Sequence, residues 1–226
     1  PLTYLRWFLA NNNKFKGKLF PTTFDSHREL EVLDISHNRI ESDVFPDIIF
    51  ELPNLGQVDL SHNHLHGEMP QHIAEQKTMV YLSLMHNEFG GKVSQGISNL
   101  KALASLYISN NHFTGQLPIS MLNWESIEYF FAGDNPGLSH EGVPYALHMS
   151  PNLKGLSLRN CNLEGTLPLY LGKMTGMQLL DLADNKLEGT IPDNWGILED
   201  LQYLVLNGNT KLAGQLPDTF SKLTSL

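Results

Sequence analysis

The chain is poor in the features that most protein chemistry requires. It has one cysteine, Cys161, in 226 residues, so no disulfide can form within it. Lys and Arg number 15 against 24 Asp and Glu, a net charge of −9, and the basic residues form no stripe. That excludes the electrostatic footprint of a nucleic-acid binder and disfavours an anionic membrane surface. Nothing in the chain reads as a membrane-inserting segment. There is no Gly-x-Ser-x-Gly elbow, no phosphate-cradling Gly-Lys-Ser/Thr loop and no Cys-x-x-Cys pair. No catalytic residue, cofactor or metal is therefore expected. Among 19 asparagines none heads an Asn-x-Ser/Thr glycosylation acceptor, which counts mildly against a secreted or cell-surface location.

What the chain does have is a ladder. Asn13, Asn38, Asn63, Asn87, Asn111, Asn135, Cys161, Asn185 and Asn209 recur at intervals of 24 to 26 residues. Each lies eight residues after an apolar one, and apolar residues fill the first, fourth and sixth positions of each unit, as in Leu55, Val58 and Leu60. Alternation across the fourth to sixth positions marks a short strand with even positions inside and odd positions outside. Beyond each unit's proline position, apolar residues recur every third residue, as in Pro192, Trp195, Leu198 and Leu201, which suits a 3₁₀ turn. His27, Gln76 and Ser150 interrupt this period, so three units are expected to pack less well there. The ladder asparagine has a physical role: inside a sharp turn, one amide can both donate to and accept from backbone groups. Cys161 can fill only part of that role and is read as structural.

The strand motif is joined by a second one: Gly-Glu-Met-Pro at 67–70, Gly-Gln-Leu-Pro at 115–118, Gly-Thr-Leu-Pro at 165–168, Gly-Thr-Ile-Pro at 189–192 and Gly-Gln-Leu-Pro at 214–217. Together they resemble the plant-type class of leucine-rich repeats, found in receptor-like kinases, receptor-like proteins and polygalacturonase inhibitors. The resemblance implies an α/β solenoid: a right-handed superhelix with a parallel concave β-sheet and 3₁₀-like convex segments. Residues 1–226 then form one domain of about nine repeats that share a continuous core. Both ends lack a recognisable polar cap, which reads as a fragment of a longer protein.

Side chains at the third and fifth positions of each unit face the concave side. Tyr81, Tyr107, Tyr129 and Phe131 are expected to form one patch there, and the repeat itself demands no aromatic at these positions. Such residues are typical binding anchors, although cross-strand packing alone would also explain them. Trp7 occupies the same row further along. Asp34 and Asp59 share the fifth position of adjacent units, so their carboxylates repel and would accept a Lys or Arg from a partner. Ordinary solvated aspartates are the plainer alternative. His37, His62 and His86 share the eighth position of three consecutive units, a row suggestive of proton sensing but lacking a closed metal geometry. The longest connection, from Asn135 to Pro144, is the best candidate for a local elaboration.

The expected function is non-catalytic recognition of a peptide or protein ligand across the concave face, in a receptor-like protein at the cell surface or secreted. Co-receptors or other complex subunits are possible companions. The alternatives are a structural or assembly subunit and a hydrolase-inhibiting protein.

Overall fold

A computed structural model describes residues 3–20, 22–71, 73, 76–139 and 141–226. Nine three-residue strands form one parallel sheet in strict chain order. They are β1 (Trp7–Leu9), β2 (Val32–Asp34), β3 (Gln57–Asp59), β4 (Tyr81–Ser83), β5 (Ser105–Tyr107), β6 (Tyr129–Phe131), β7 (Gly155–Ser157), β8 (Leu179–Asp181) and β9 (Tyr203–Val205). Opposite this sheet, the described residues hold seven 3₁₀ segments and no α-helix. Six of the segments start after a proline. The segment Gln95–Asn99 starts after Ser94, whose hydroxyl accepts the Gly96 N–H at 3.0 Å. The departure from the proline motif in the fourth unit is therefore compensated by a side-chain cap.

The core runs along the stack. Leu33, Val58, Leu82, Leu106, Phe130, Leu156 and Leu180, at the central position of consecutive strands, are all fully buried. So are the first-position residues Leu30, Leu55, Met79, Ile127 and Leu201. Removing this apolar area from water is the main stabilising term, and each unit relies on its neighbours to complete the burial.

Sharp turns leave the strands at the eighth position. In all nine units this residue has positive φ, from 48° at Asn160 to 77° at Gly208. Asn, Asp, His and Gly occupy it, the residue types that best tolerate left-handed backbone. The ladder asparagine that follows bonds two units at once. Asn111 Oδ1 accepts the Phe89 N–H at 3.0 Å, and its Nδ2 donates to the carbonyls of Leu84, Ile108 and Ser109. Cys161 reproduces only the donor half, reaching the Ala132 and Arg159 carbonyls through Sγ. Burial pushes its thiol up to about 12, so it stays protonated and inert.

Past the turns, short strands form a discontinuous ladder on the flank. A four-stranded piece runs from His66–Glu68 to Gly137–Leu138, and a separate three-stranded piece starts at Glu164–Thr166. The break coincides with the long 135–144 connection. Tyr170, from the following unit, donates its hydroxyl to the Val143 carbonyl and ties that connection down.

Candidate functional site

Strand register places the outward side chains in two rows. One row runs Trp7, Val32, Gln57, Tyr81, Ser105, Tyr129, Gly155, Leu179, Tyr203; the other runs Leu9, Asp34, Asp59, Ser83, Tyr107, Phe131, Ser157, Asp181, Val205. Strands about 4.8 Å apart put adjacent members of a row in contact.

The predicted aromatic patch is present. Tyr81 and Tyr107 ring centroids lie 5.5 Å apart, Tyr107 and Phe131 5.2 Å, and Tyr129 and Phe131 6.4 Å, each tilted or edge-on. These are favourable aromatic geometries. All four side chains are half-buried, leaving ring surface open on the concave side. Trp7 does not join them. It stands three strands from Tyr81, is 64% exposed, and donates its indole N–H to Glu31 at 3.3 Å.

Gly155 is a residue that sequence reasoning missed. A Cβ on it would lie 2.7 Å from Tyr129 Cδ1 and 3.1 Å from Phe131 Cε1. The two rings close over strand β7 because nothing projects from it there. A glycine in the outward row reads in sequence as a gap, although its effect is to seat both rings.

Beside the patch is an open depression of about 330 Å³, lined by Leu9, Val32, Leu33, Asp34, Gln57, Val58, Asp59 and Tyr81. Its surface is mostly apolar, with Gln57, two carboxylates and one phenol supplying the polar groups. Asp34 and Asp59 are direct register partners. Each spends one oxygen on its own chain: Asp34 Oδ1 accepts the Ser36 N–H and hydroxyl at 3.0 and 2.7 Å, and Asp59 Oδ1 accepts the Ser61 N–H at 2.9 Å. Asp181 repeats the arrangement with Ala183. The fifth-position aspartate thus helps hold the turn two residues on. Among the described residues no Lys, Arg or His forms an ion pair with Asp34 or Asp59, and both line the depression.

Tyr81 joins the two halves of the face. Burial, and then the charge of Asp59, push its phenol up to about 12, against a hydrogen bond from Ser83 that lowers it. The phenol is therefore neutral, with its proton held toward the Asp59 carboxylate on the same face.

The histidines at the eighth position stack along the edge of this face. No group of three ligating side chains among the described residues is arranged to hold a metal ion. The 135–144 connection lies on the flank, where Tyr145 separates shallow depressions of about 630 and 430 Å³. Its described residues line no part of the depression beside the concave patch. Among the described residues no helix is long and apolar enough to cross a membrane.

Residues 3–65 match the family model for the leucine rich repeat, and residues 94–199 match that for the leucine-rich repeat domain of the EGF-like domain-containing protein ComC. No curated protein sequence matches the chain. Among solved structures it is similar to a TDR receptor, with 22% identity, a TM-score of 0.89, and coverage of 98% of this chain and 37% of that one. At that identity the likeness shows the fold alone. It is similar to PEPR1-AtPEP1 at 32% identity and TM-score 0.82, covering 99% of this chain and 34% of that one. A third is the Arabidopsis receptor kinase HAESA, in complex with the peptide hormone IDA and the co-receptor SERK1. There the identity is 25%, the TM-score 0.77, and the coverage 100% and 41%. The chain thus spans about two fifths or less of each of these three.

Proposed function

We propose that this leucine-rich repeat solenoid of the plant type is a non-catalytic recognition module that binds a peptide or protein ligand across its concave face. The observation that carries the reading is the continuity of that face. Through Tyr81, an aromatic patch of Tyr81, Tyr107, Tyr129 and Phe131 runs into a mostly apolar depression bearing the carboxylates of Asp34 and Asp59. Half-buried aromatic rings bury large area at little cost in rotamer entropy when a partner covers them. A mostly apolar surface bearing two carboxylates suits a Lys or Arg side chain, whose aliphatic stem and charged head match its two parts.

The similar solved structures include a receptor kinase holding a peptide hormone and a co-receptor. That supports an extended peptide as the ligand and a second protein as a companion in the bound state. It also supports a cell-surface or secreted setting. Trp7, outside the patch, is assigned to the far end of the ligand's path.

The test is direct. Fluorescent linear peptides with a central Lys or Arg, and matched peptides with Gln there, are titrated against the wild type and Asp59→Asn at low and high salt. Basic peptides should bind more tightly than neutral ones, and Asp59→Asn should weaken them most at low ionic strength, where a partly exposed charge pair is least screened. Equal binding of both peptide sets, or a salt-independent effect of Asp59→Asn, would overturn the assignment of the acidic depression.

A further inference from the structure

Six of the nine eighth-position residues are Asn, Asp or Gly; the other three are His37, His62 and His86, in consecutive units, with φ of 52°, 55° and 52°. Their shared backbone conformation aligns the side chains. The His37 and His62 rings lie 4.0 Å apart at 14°, and the His62 and His86 rings 4.0 Å apart at 20°. Asn12 and Asn110 end the row on either side. Nothing in the repeat calls for imidazole here, since the other units make the same turn without it.

Face-to-face stacking at this distance suits neutral rings. A proton on the middle ring places a charge between two stacked imidazoles and weakens the stack. The charged or titratable groups carried by the surrounding elements are few. Asp34 and Asp59 sit at the ends of strands β2 and β3, and Arg39, His64 and Glu88 sit just past the turns. Glu88 is already engaged by His64 at 3.7 Å and His66 at 3.5 Å. Asp59 both acts on His62 and lines the concave depression, so ridge and depression share one carboxylate.

We propose that His37, His62 and His86 form a proton-responsive ridge, neutral and stacked near neutrality, charged and separated on acidification, whose acquired charge weakens the hold of the adjoining depression on a cation. The second half rests on the cationic-ligand reading given above; the first half does not. Burial and then the rings of His86 and His37 hold His62 below the ordinary imidazole value of 6.5, outweighing the opposing pull of Asp59. The unfolded chain then takes up the proton more readily than the folded one. The stability contributed by the neutral stack is complete above pH 6.5 and declines as pH falls toward the folded value.

The test uses the whole chain and the triple variant His37→Asn, His62→Asn, His86→Asn, which carries the residue this fold uses at the same turn in Asn12, Asn110 and Asn160. Imidazole signals are followed by ¹H–¹⁵N NMR, and thermal unfolding is measured at about pH 7.5 and about pH 5. His62 should titrate below the ordinary imidazole value of 6.5, and the wild type should lose more stability on acidification than the variant. His62 titrating at the ordinary imidazole value, or equal acid losses in the two proteins, would overturn the ridge. Lysine amide then probes the coupling through the Tyr81 signals. Wild-type affinity should fall about threefold between the two pH values, and the variant's should not. Equal affinity at both pH values would overturn the coupling with the depression intact. Binding at neither pH would remove the coupling by contradicting the cationic reading itself, while titration and unfolding still decide the ridge.

Discussion

Asn87 accepts the backbone N–H of Leu65, 22 residues earlier, at 3.0 Å through Oδ1, while its Nδ2 donates to the Leu60 carbonyl of that same earlier unit at 2.9 Å. One buried amide thus closes the turn of its own unit and fastens it to the unit before. Asn87→Ala leaves the buried Leu65 N–H and several carbonyls without their partner and should cost about 2–4 kcal/mol of unfolding free energy. Asn87→Cys, which restores a weak donor as at Cys161, should fall between the two. Equilibrium urea unfolding checks the order; an alanine variant as stable as the wild type would contradict the role given to the ladder.

Gly155 provides the second prediction. A methyl group there lies within 3.1 Å of both Tyr129 and Phe131, so Gly155→Ala must move two rings of the concave patch. The expected cost is about 1–2 kcal/mol, within the range for overpacking a seated aromatic pair. Near-ultraviolet circular dichroism should change in the tyrosine band while far-ultraviolet dichroism stays the same. An unchanged near-ultraviolet spectrum would mean that the rings are not seated on this strand.

Tyr81 tests the link between patch and depression. Its phenol is pushed up to about 12 by burial first and by the charge of Asp59 second. In an alkaline absorbance titration, the difference between wild type and Tyr81→Phe should stay flat through about pH 11, well past the ordinary tyrosine range. In the Asp59→Asn background that ionisation should move down. A Tyr81 component near pH 10, or no response to Asp59→Asn, would separate the two groups.

Much of this was legible in the sequence because each unit's requirements are local. Alternation across Leu55, Val58 and Leu60 dictates which side chains face in, and so it also placed Tyr81, Tyr107, Tyr129 and Phe131 outward in the correct rows. What was not legible depends on partners in other units. Gln76, expected to weaken its unit, is buried with its amide donating to the Leu55 carbonyl and accepting from the N–H groups of Thr78 and Met79. His27 Nδ1 and Ser150 Oγ, at the other two interruptions, are buried without a hydrogen-bond partner among the described residues. The fifth-position aspartates are neither simply solvated nor wholly free, since one oxygen of each holds a turn. Trp7 shares a row with Tyr81, but the two strands between them carry Val32 and Gln57 in that row, so Trp7 is cut off from the aromatic patch.

On the function proposed above, the concave face recognises a ligand. The most direct test is selection of a displayed library of random linear peptides on the wild-type chain, counter-screened on Tyr107→Ala/Phe131→Ala. The account predicts enriched peptides that carry a Lys or Arg beside apolar residues and lose at least about tenfold in affinity on the double variant, as removal of two aromatic anchors implies. Thermal unfolding of that variant should show that the solenoid is still folded. Peptides that bind both proteins equally, or no enrichment on the wild type, would contradict the account.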